Sequence, residues 1–234
     1  MPSLSRAQAG RDISVTGMIF REIELTSSAP ETVSRFYADT LRLEPRTNGF
    51  RVGSCDVSFV EGTPASPYHL AFNIPANQIE NAKAWAGEHL SMLSEEIYDF
   101  ERWNARAIYF EDPDENVLEF IARRNLANDA EGAFAPAMIL ELSEFGLPVE
   151  DPPAVVDRLE TGFGLQVFSG DRRTFTAVGD EHGLLIVIPV GRNWLPTDRR
   201  TAENRARLRI EASRHSETRV GADVVIRSTV PPEA

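Results

Sequence analysis

Alternating polar and apolar residues predict the first strand of the chain. In MIFREIELT, residues 18–26, Phe20, Glu22 and Glu24 share one face, and Ile23 and Leu25 share the other. A helix with Pro30 in its first turn follows, and its apolar residues recur at helical spacing. Short strands near residues 43–61, separated by Asn-Gly and Gly-Ser turns, complete the order βαβββ.

The same order begins again at Tyr68. The segment HLAFNIP predicts a strand, a helix follows through Leu90, and strands are expected near residues 95–100, 105–111 and 116–123. A stretch rich in Asn, Asp, Gly and Ala, residues 126–136, then predicts a linker.

An internal repeat relates the two halves of the chain. The segment that starts at Glu22 aligns without gaps to the segment that starts at Glu144, and the apolar positions keep their spacing. The second half is therefore expected to start as another βαβββ module. The segment ARLRIEA, residues 206–212, resembles the first strand of a fourth, unfinished module.

Composition narrows the class of protein. The chain has 42% hydrophobic and 26% charged residues, which is typical of a globular protein, and its net charge of −12 argues against a nucleic-acid partner. No apolar run is long enough to span a bilayer, and the N-terminus lacks the apolar core of a signal peptide, so we expect a cytoplasmic protein without a membrane partner. Arginines are frequent in residues 191–220. We interpret that stretch as a salt-bridged surface, with an anion-binding patch as the alternative.

Three residues are candidates for chemistry. The single cysteine, Cys55, excludes an internal disulfide and a thiolate zinc cluster, so ligands for a metal would be His, Asp or Glu. Glu119 lies in the apolar strand NVLEFIAR, where a buried carboxylate needs a proton, a cation or a metal; the alternative is an edge position facing solvent or an arginine. Glu22 begins the first module and His69 the second, so a cup formed by paired modules would bring all three together. Taken singly, Glu22 also fits a solvated face, and His69 a structural histidine.

Three segments carry a family resemblance. The runs FREIELTSSAPETVSRFYADTLRL, YHLAFNIP and AIYFEDPDENVLEFIAR resemble the signature segments of the vicinal-oxygen-chelate superfamily, which includes glyoxalase I, bleomycin-binding proteins and extradiol dioxygenases. The resemblance covers residues 18–124 well and 138–190 more loosely. Arg42 and Glu115 stand where family members commonly have glycine, which we interpret as local backbone adjustments.

The resemblance implies an α+β fold of paired βαβββ modules that form an open mixed-sheet cup, followed by a partial repeat. We divide the chain into a disordered leader (1–16), a paired domain with the metal site (17–125), a linker (126–136) and a degenerate second βαβββ domain (137–234). The second domain is expected to have a structural role and no comparable metal site.

The same resemblance implies a divalent metal ion (Mn, Zn, Fe or Ni) bound by Glu22, His69 and Glu119. We also expect Glu119 to be catalytic. Glu24, two residues from Glu22 on the same strand face, is our candidate for the general base. The leading hypothesis is a metal-dependent glyoxalase-like enzyme acting on a small substrate with adjacent oxygens, by isomerase, lyase or addition chemistry. The alternatives are a metal-free small-molecule binding protein of the bleomycin-resistance type and an extradiol-type dioxygenase. A homodimer is compatible with the sequence but not specified by it.

Overall fold

The computed structural model describes residues 17–221 and 223–231. The predicted leader, residues 1–16, lies outside them. The described residues form four consecutive modules, of which the first three follow the order βαβββ, the second with one additional short strand. In the fourth module, a turn at residues 212–215 replaces the helix.

The elements have the following bounds. Module 1 contains β1 (Ile19–Ser27), α1 (Pro30–Arg35), β2 (Glu44–Arg46), β3 (Gly49–Val52) and β4 (Cys55–Glu61). Module 2 contains β5 (His69–Ile74), α2 (Ile79–His89), β6 (Ser91–Met92), β7 (Tyr98–Phe100), β8 (Ala105–Glu111) and β9 (Val117–Arg123). Module 3 contains β10 (Glu141–Val149), α3 (Pro152–Phe163), β11 (Val167–Gly170), β12 (Thr176–Asp180) and β13 (Gly183–Pro189). Module 4 contains β14 (Ala206–Glu211), β15 (Ser216–Val220) and β16 (Val224–Thr229). Helical turns at Phe36–Thr40, Glu101–Trp103 and Pro136–Met138 complete the set.

The strands form two sheets. Sheet A has the order β15-β16-β14-β1-β4-β3-β2, and sheet B has the order β11-β12-β13-β10-β5-β9-β8-β6, with β7 paired to β8. Both are mixed, because the first strand of modules 1, 2 and 3 runs parallel to the last strand of its own module. The predicted α+β class with paired βαβββ modules is confirmed.

The sheets pair the modules differently from the predicted division into 17–125 and 137–234. Sheet A joins module 1 to module 4 through β1 and β14, and sheet B joins module 2 to module 3 through β5 and β10. Each pair joins strands of like burial: β5 and β10 are buried almost throughout, whereas β1 and β14 are partly exposed on one face. The side chains of β5 and β10 are buried on both faces of the strand, so both faces must be covered by other elements, and the two strands occupy the centre of sheet B.

The two faces of sheet B have different roles. Leu70, Phe72 and Phe120 point into the large core that sheet B shares with the helices and sheet A; Phe50 of sheet A, for example, lies 6.5 Å from Phe72 between ring centroids. Alternate residues such as Ala71 point the other way, into a smaller apolar cluster. This second face lines the candidate site.

The helices were also compared with the requirements for a membrane span. Among the described residues, none combines the length and the apolar character that a bilayer crossing requires.

Candidate metal centre

Three neighbouring strands of sheet B bring a histidine and two glutamates together. His69 opens β5, Glu119 lies in β9 on one side of it, and Glu144 lies in β10 on the other. Ala71 pairs with Glu119 in one direction and with Glu144 in the other, so both carboxylates lie at the same level of the sheet. Because side chains alternate along a strand, His69 projects on the same face as Ala71. All three polar side chains are buried.

A β-bulge immediately before Glu144 sets the direction of its side chain. The pairing of β10 with β5 shifts by one residue between Leu142 and Glu144. Bulges of this kind redirect side chains and are frequent beside active sites. The result is a compact group: His69 Nε2 lies 3.6 Å from Glu119 Oε2 and 3.9 Å from Glu144 Oε2, and one donor atom from each residue lies within 4.8 Å of the others.

Backbone and ring contacts orient His69. Its Nδ1 lies 3.1 Å from the Val117 carbonyl oxygen. A carbonyl oxygen only accepts hydrogen bonds, so Nδ1 carries a proton, and Nε2 is the ring nitrogen that faces the glutamates. Trp194 packs on the imidazole at 5.0 Å between centroids. Glycine at position 146 permits this contact, because a Cβ there would lie 2.5 Å from the Trp194 ring and 2.9 Å from His69 Cβ.

The positive charge of Arg123 neutralises one of the two carboxylates, that of Glu144. Its guanidinium forms a buried salt bridge with Glu144 Oε1, and its Nε donates to Asn73 Oδ1 at 3.0 Å. The guanidinium also lies over the Trp103 ring, 5.5 Å from the centroid. Glu144 is therefore held by one oxygen, while its other oxygen faces His69.

Glu119 has no arginine salt bridge among the described residues, and its environment disfavours a bare charge. Burial, and then the negative charge of Glu144, raise the pKa of the Glu119 carboxyl well above its ordinary value. Tyr109 lies directly opposite Glu119 on the neighbouring strand β8, and its hydroxyl favours the ionised form of that carboxyl. Burial and the two glutamates raise the pKa of the Tyr109 hydroxyl, so it keeps its proton. A cation between the carboxylates would relieve this repulsion.

A cavity of about 530 Å³ opens above the three residues. Its walls are mainly aromatic and aliphatic: Phe100, Trp103, Tyr109, Phe175, Ile186, Ile188, Trp194, Leu195 and Pro196. The buried triad forms one end, and exposed residues of the segment between β13 and β14 form the rim. An apolar cavity with a few convergent polar groups is the usual form of a small-molecule site.

The structure does not bring Glu22 or Glu24 to this site. Both lie on sheet A, where Glu22 forms a salt bridge with Arg209, and Glu24 with Arg207 at 2.9 Å. The predicted grouping of Glu22, His69 and Glu119 does not form: the structure groups Glu144, not Glu22, with His69 and Glu119, and Glu24 lies on the other sheet. The physical reason is the strand pairing: β5 meets β10, not β1.

The repeat contained the signal for Glu144. It aligned Glu144 with Glu22, but the second half was expected to be structural because Gly146 replaces Glu24 and no second copy of VLEFIA exists. Sheet B joins module 3 to module 2, so the candidate site contains two residues of module 2, His69 and Glu119, and one residue of module 3, Glu144. A second signal lay in the charges of two strands. The segment REIELT carries two glutamates and the segment RLRIE two arginines, and opposite charges stabilise neighbouring antiparallel strands.

Comparison with known proteins supports the architecture. No family model matches the sequence, and no curated protein matches it. Several solved structures align over most of the chain. A proposed dioxygenase from Bacillus subtilis aligns with a TM-score of 0.61 at 14% identity over 94% of this chain and 87% of that one. Glyoxalase I from Zea mays aligns with a TM-score of 0.56 at 12% identity over 90% of this chain and 92% of that one.

The chain has the vicinal-oxygen-chelate fold. In this fold, the repeat and the strand registers define four equivalent positions in each sheet. In sheet B they hold His69, Glu144, Glu119 and Ile186. In sheet A they hold Arg207, Glu22, Arg227 and Ser58. At these four positions sheet A offers one carboxylate, Glu22, which forms a salt bridge with Arg209. Among the described residues only the sheet B triad groups three candidate ligands.

Proposed function

We propose that this protein is a metal-dependent enzyme of the glyoxalase type, which acts on a small substrate with adjacent oxygen atoms by isomerase, lyase or addition chemistry. The observation that carries the proposal is the convergence of His69, Glu119 and Glu144 at the buried end of an apolar cavity. The fold makes such a site plausible, and the residues present support it.

The donor set suits a divalent ion. His69 offers a nitrogen lone pair, and each glutamate offers one oxygen. The fourth equivalent position holds Ile186, which cannot act as a ligand and lines the cavity. Three protein ligands with one open side are typical of a catalytic rather than a structural ion.

Different residues of the site would have different chemical roles. A bound ion would supply a Lewis acid for two oxygens of the substrate. Tyr109, which keeps its proton, would donate a hydrogen bond to a substrate oxygen on which negative charge develops. Glu119, the carboxylate without an arginine salt bridge, would accept a proton, the role that the sequence had suggested for Glu24. The aromatic walls would exclude water from the reacting atoms.

Isomerase, lyase or addition chemistry without O₂ fits these ligands better than ring-cleaving oxygenation. Non-haem Fe(II) oxygenases usually present two histidines and one carboxylate, whereas this site presents one histidine and two carboxylates. A metal-free binding protein is the second candidate, because the aromatic walls alone would hold an apolar ligand.

Metal analysis of protein purified without chelators or a metal-affinity column tests the proposal. We expect about one divalent ion per chain, and loss of the ion in Glu119→Gln and Glu144→Gln. If the ion is present at about a hundredfold its Kd, chelation should lower the melting temperature by roughly 5 to 10 °C, because an ion that binds only the folded state stabilises it by about 2.7 kcal/mol.

Glu22→Gln is the matched control, since it makes the same change at the equivalent position of the repeat. It should keep both the ion and the melting temperature. Metal content unchanged in Glu144→Gln but lost in Glu22→Gln would show that the ligand set is the one first expected from the sequence. Protein that binds no divalent ion, yet takes up apolar ligands, would favour the second candidate.

A further inference from the structure

The cavity has one positively charged group at its rim. Its buried end contains the two carboxylates, and its walls are apolar, whereas the exposed rim carries Arg192 beside Asn193 and Thr197. Among the described residues, none of those that line the rim is acidic. A ligand that fills the cavity can therefore contact this guanidinium at the exposed rim.

Two contacts hold the Arg192 side chain in place. One amino group donates to the Thr174 carbonyl oxygen, and the guanidinium lies 5.3 Å from the ring centroid of Phe175, another cavity residue. The backbone is fixed as well, because Thr201 N donates to Arg192 O at 2.9 Å and Gly191 N donates to Thr201 O at 2.8 Å. The guanidinium is thus positioned before any ligand arrives, which reduces the entropic cost of binding.

Arg192 differs in charge pairing from several arginines that follow it in the chain. Three arginines of the following strand region, Arg205, Arg207 and Arg209, each form a salt bridge with a glutamate of β1. For Arg192, by contrast, the described residues provide a carbonyl oxygen and a ring face but no carboxylate salt bridge. In a chain of net charge −12, a fixed arginine without a carboxylate at the mouth of an apolar cavity is suited to an external anion.

We propose that the cavity takes an amphipathic anion, with an aromatic body between the apolar walls and a carboxylate-like or sulfonate-like group bound by Arg192. This inference deepens the proposed function, because it names the ligand class of the same cavity. Arg192 then determines specificity: it favours charged over neutral molecules of the same shape.

A matched pair of fluorescent probes tests the inference. Anilinonaphthalene sulfonate and N-phenylnaphthylamine share an aromatic body, and only the first carries an anionic group. Titration of the full chain gives both dissociation constants. Arg192→Gln should weaken binding of the sulfonate by about tenfold, which corresponds to about 1.4 kcal/mol, and change binding of the neutral probe less than twofold. Arg173→Gln, an exposed arginine outside the cavity, should change neither.

A variant that narrows the cavity tests whether both probes bind inside it. Ile188→Phe adds bulk to the wall and should weaken both probes, with folding checked by circular dichroism and thermal melting. The inference is overturned if Arg192→Gln binds the sulfonate as tightly as wild type, if it weakens both probes equally, or if Ile188→Phe binds both unchanged. Metal content is measured in parallel, so a protein without metal contradicts the proposed function while the probe comparison still decides the inference.

Discussion

Two of the five described non-glycine residues with positive φ had already been singled out in the sequence. Arg42 has φ of 52° and Glu115 has φ of 60°, in the left-handed region where a Cβ is unfavourable. The resemblance to the superfamily had suggested glycine at both positions, and the two residues were interpreted from the sequence as backbone adjustments. Arg42 is exposed and follows the helical turn of module 1, so its strain is not offset by burial.

Replacement of Arg42 by glycine should stabilise the protein. Glycine adopts positive φ without steric cost, and this gain exceeds the entropy that glycine adds to the unfolded chain. We expect Arg42→Gly to raise the free energy of unfolding by about 0.5 to 1 kcal/mol, measured by urea denaturation. Lys83→Gly, in the middle of α2, is the control and should lower it by about 1 kcal/mol. A loss of stability in Arg42→Gly would contradict the assignment of strain.

At the scale of elements, a buried aspartate ties the β8–β9 turn to module 1. Asp112 Oδ2 accepts hydrogen bonds from the Tyr37 hydroxyl and from Asn116 Nδ2, both at 2.9 Å. Its Oδ1 accepts the backbone N–H groups of Asp114 and Asn116. Burial nevertheless outweighs these four bonds and raises the pKa of the Asp112 carboxyl from 3.8 to about 6. The contact thus links modules that belong to different sheets.

This aspartate should make stability depend on pH. Because its pKa is higher in the folded protein, the folded state binds the proton more tightly than the unfolded state does. The stabilising contribution is full below about pH 4 and is lost as the pH rises through 6. Between pH 4 and pH 7, wild type should lose on the order of 3 kcal/mol relative to Asp112→Asn, measured as the difference in unfolding free energy.

Tyr37→Phe provides the companion measurement. The tyrosine hydroxyl donates a hydrogen bond that favours the ionised carboxylate, so its removal should move the pH-dependent loss to higher pH. A difference between wild type and Asp112→Asn that stays constant from pH 4 to pH 8 would show that the carboxyl does not titrate as expected.

At the scale of the whole molecule, neither half of the chain contains a complete sheet. Sheet A needs module 4 beside module 1, and sheet B needs module 3 beside module 2. Separation of residues 17–130 from the rest would expose the edges of β1 and β5 and remove Glu144 from the site. Exposed strand edges promote aggregation.

A fragment of residues 17–130 should therefore neither unfold cooperatively nor bind a divalent ion. Mixing it with residues 131–234 should restore both properties, as monitored by circular dichroism and metal analysis. The control is full-length protein cleaved within the linker after folding, which should keep its structure and its ion. Cooperative unfolding and stoichiometric metal binding by the isolated fragment would instead support the domain division expected from the sequence.

Local regularities account for what could be predicted from the sequence. The strand period, the helix period and the turn residues identified the βαβββ modules, because these patterns depend on residues a few positions apart. The apolar surroundings of Glu119 indicated a buried carboxylate for the same reason. The repetition of the module placed His69 at the start of the first strand of the second module.

The choice of partner strand depended on tertiary structure. Glu22 and Glu144 are the same residue type at equivalent positions of the repeat, and each directly follows a β-bulge, yet their side chains are 54% and 4% exposed. The difference comes from the neighbour: β14 presents Arg209 to Glu22, whereas β5 presents His69 to Glu144. Such pairings join strands far apart in the chain and are decided by the burial of whole faces, a property that no local period contains. The sequence by itself determined the modules and two of the three candidate ligands, and only the assembly of the sheets selected the third.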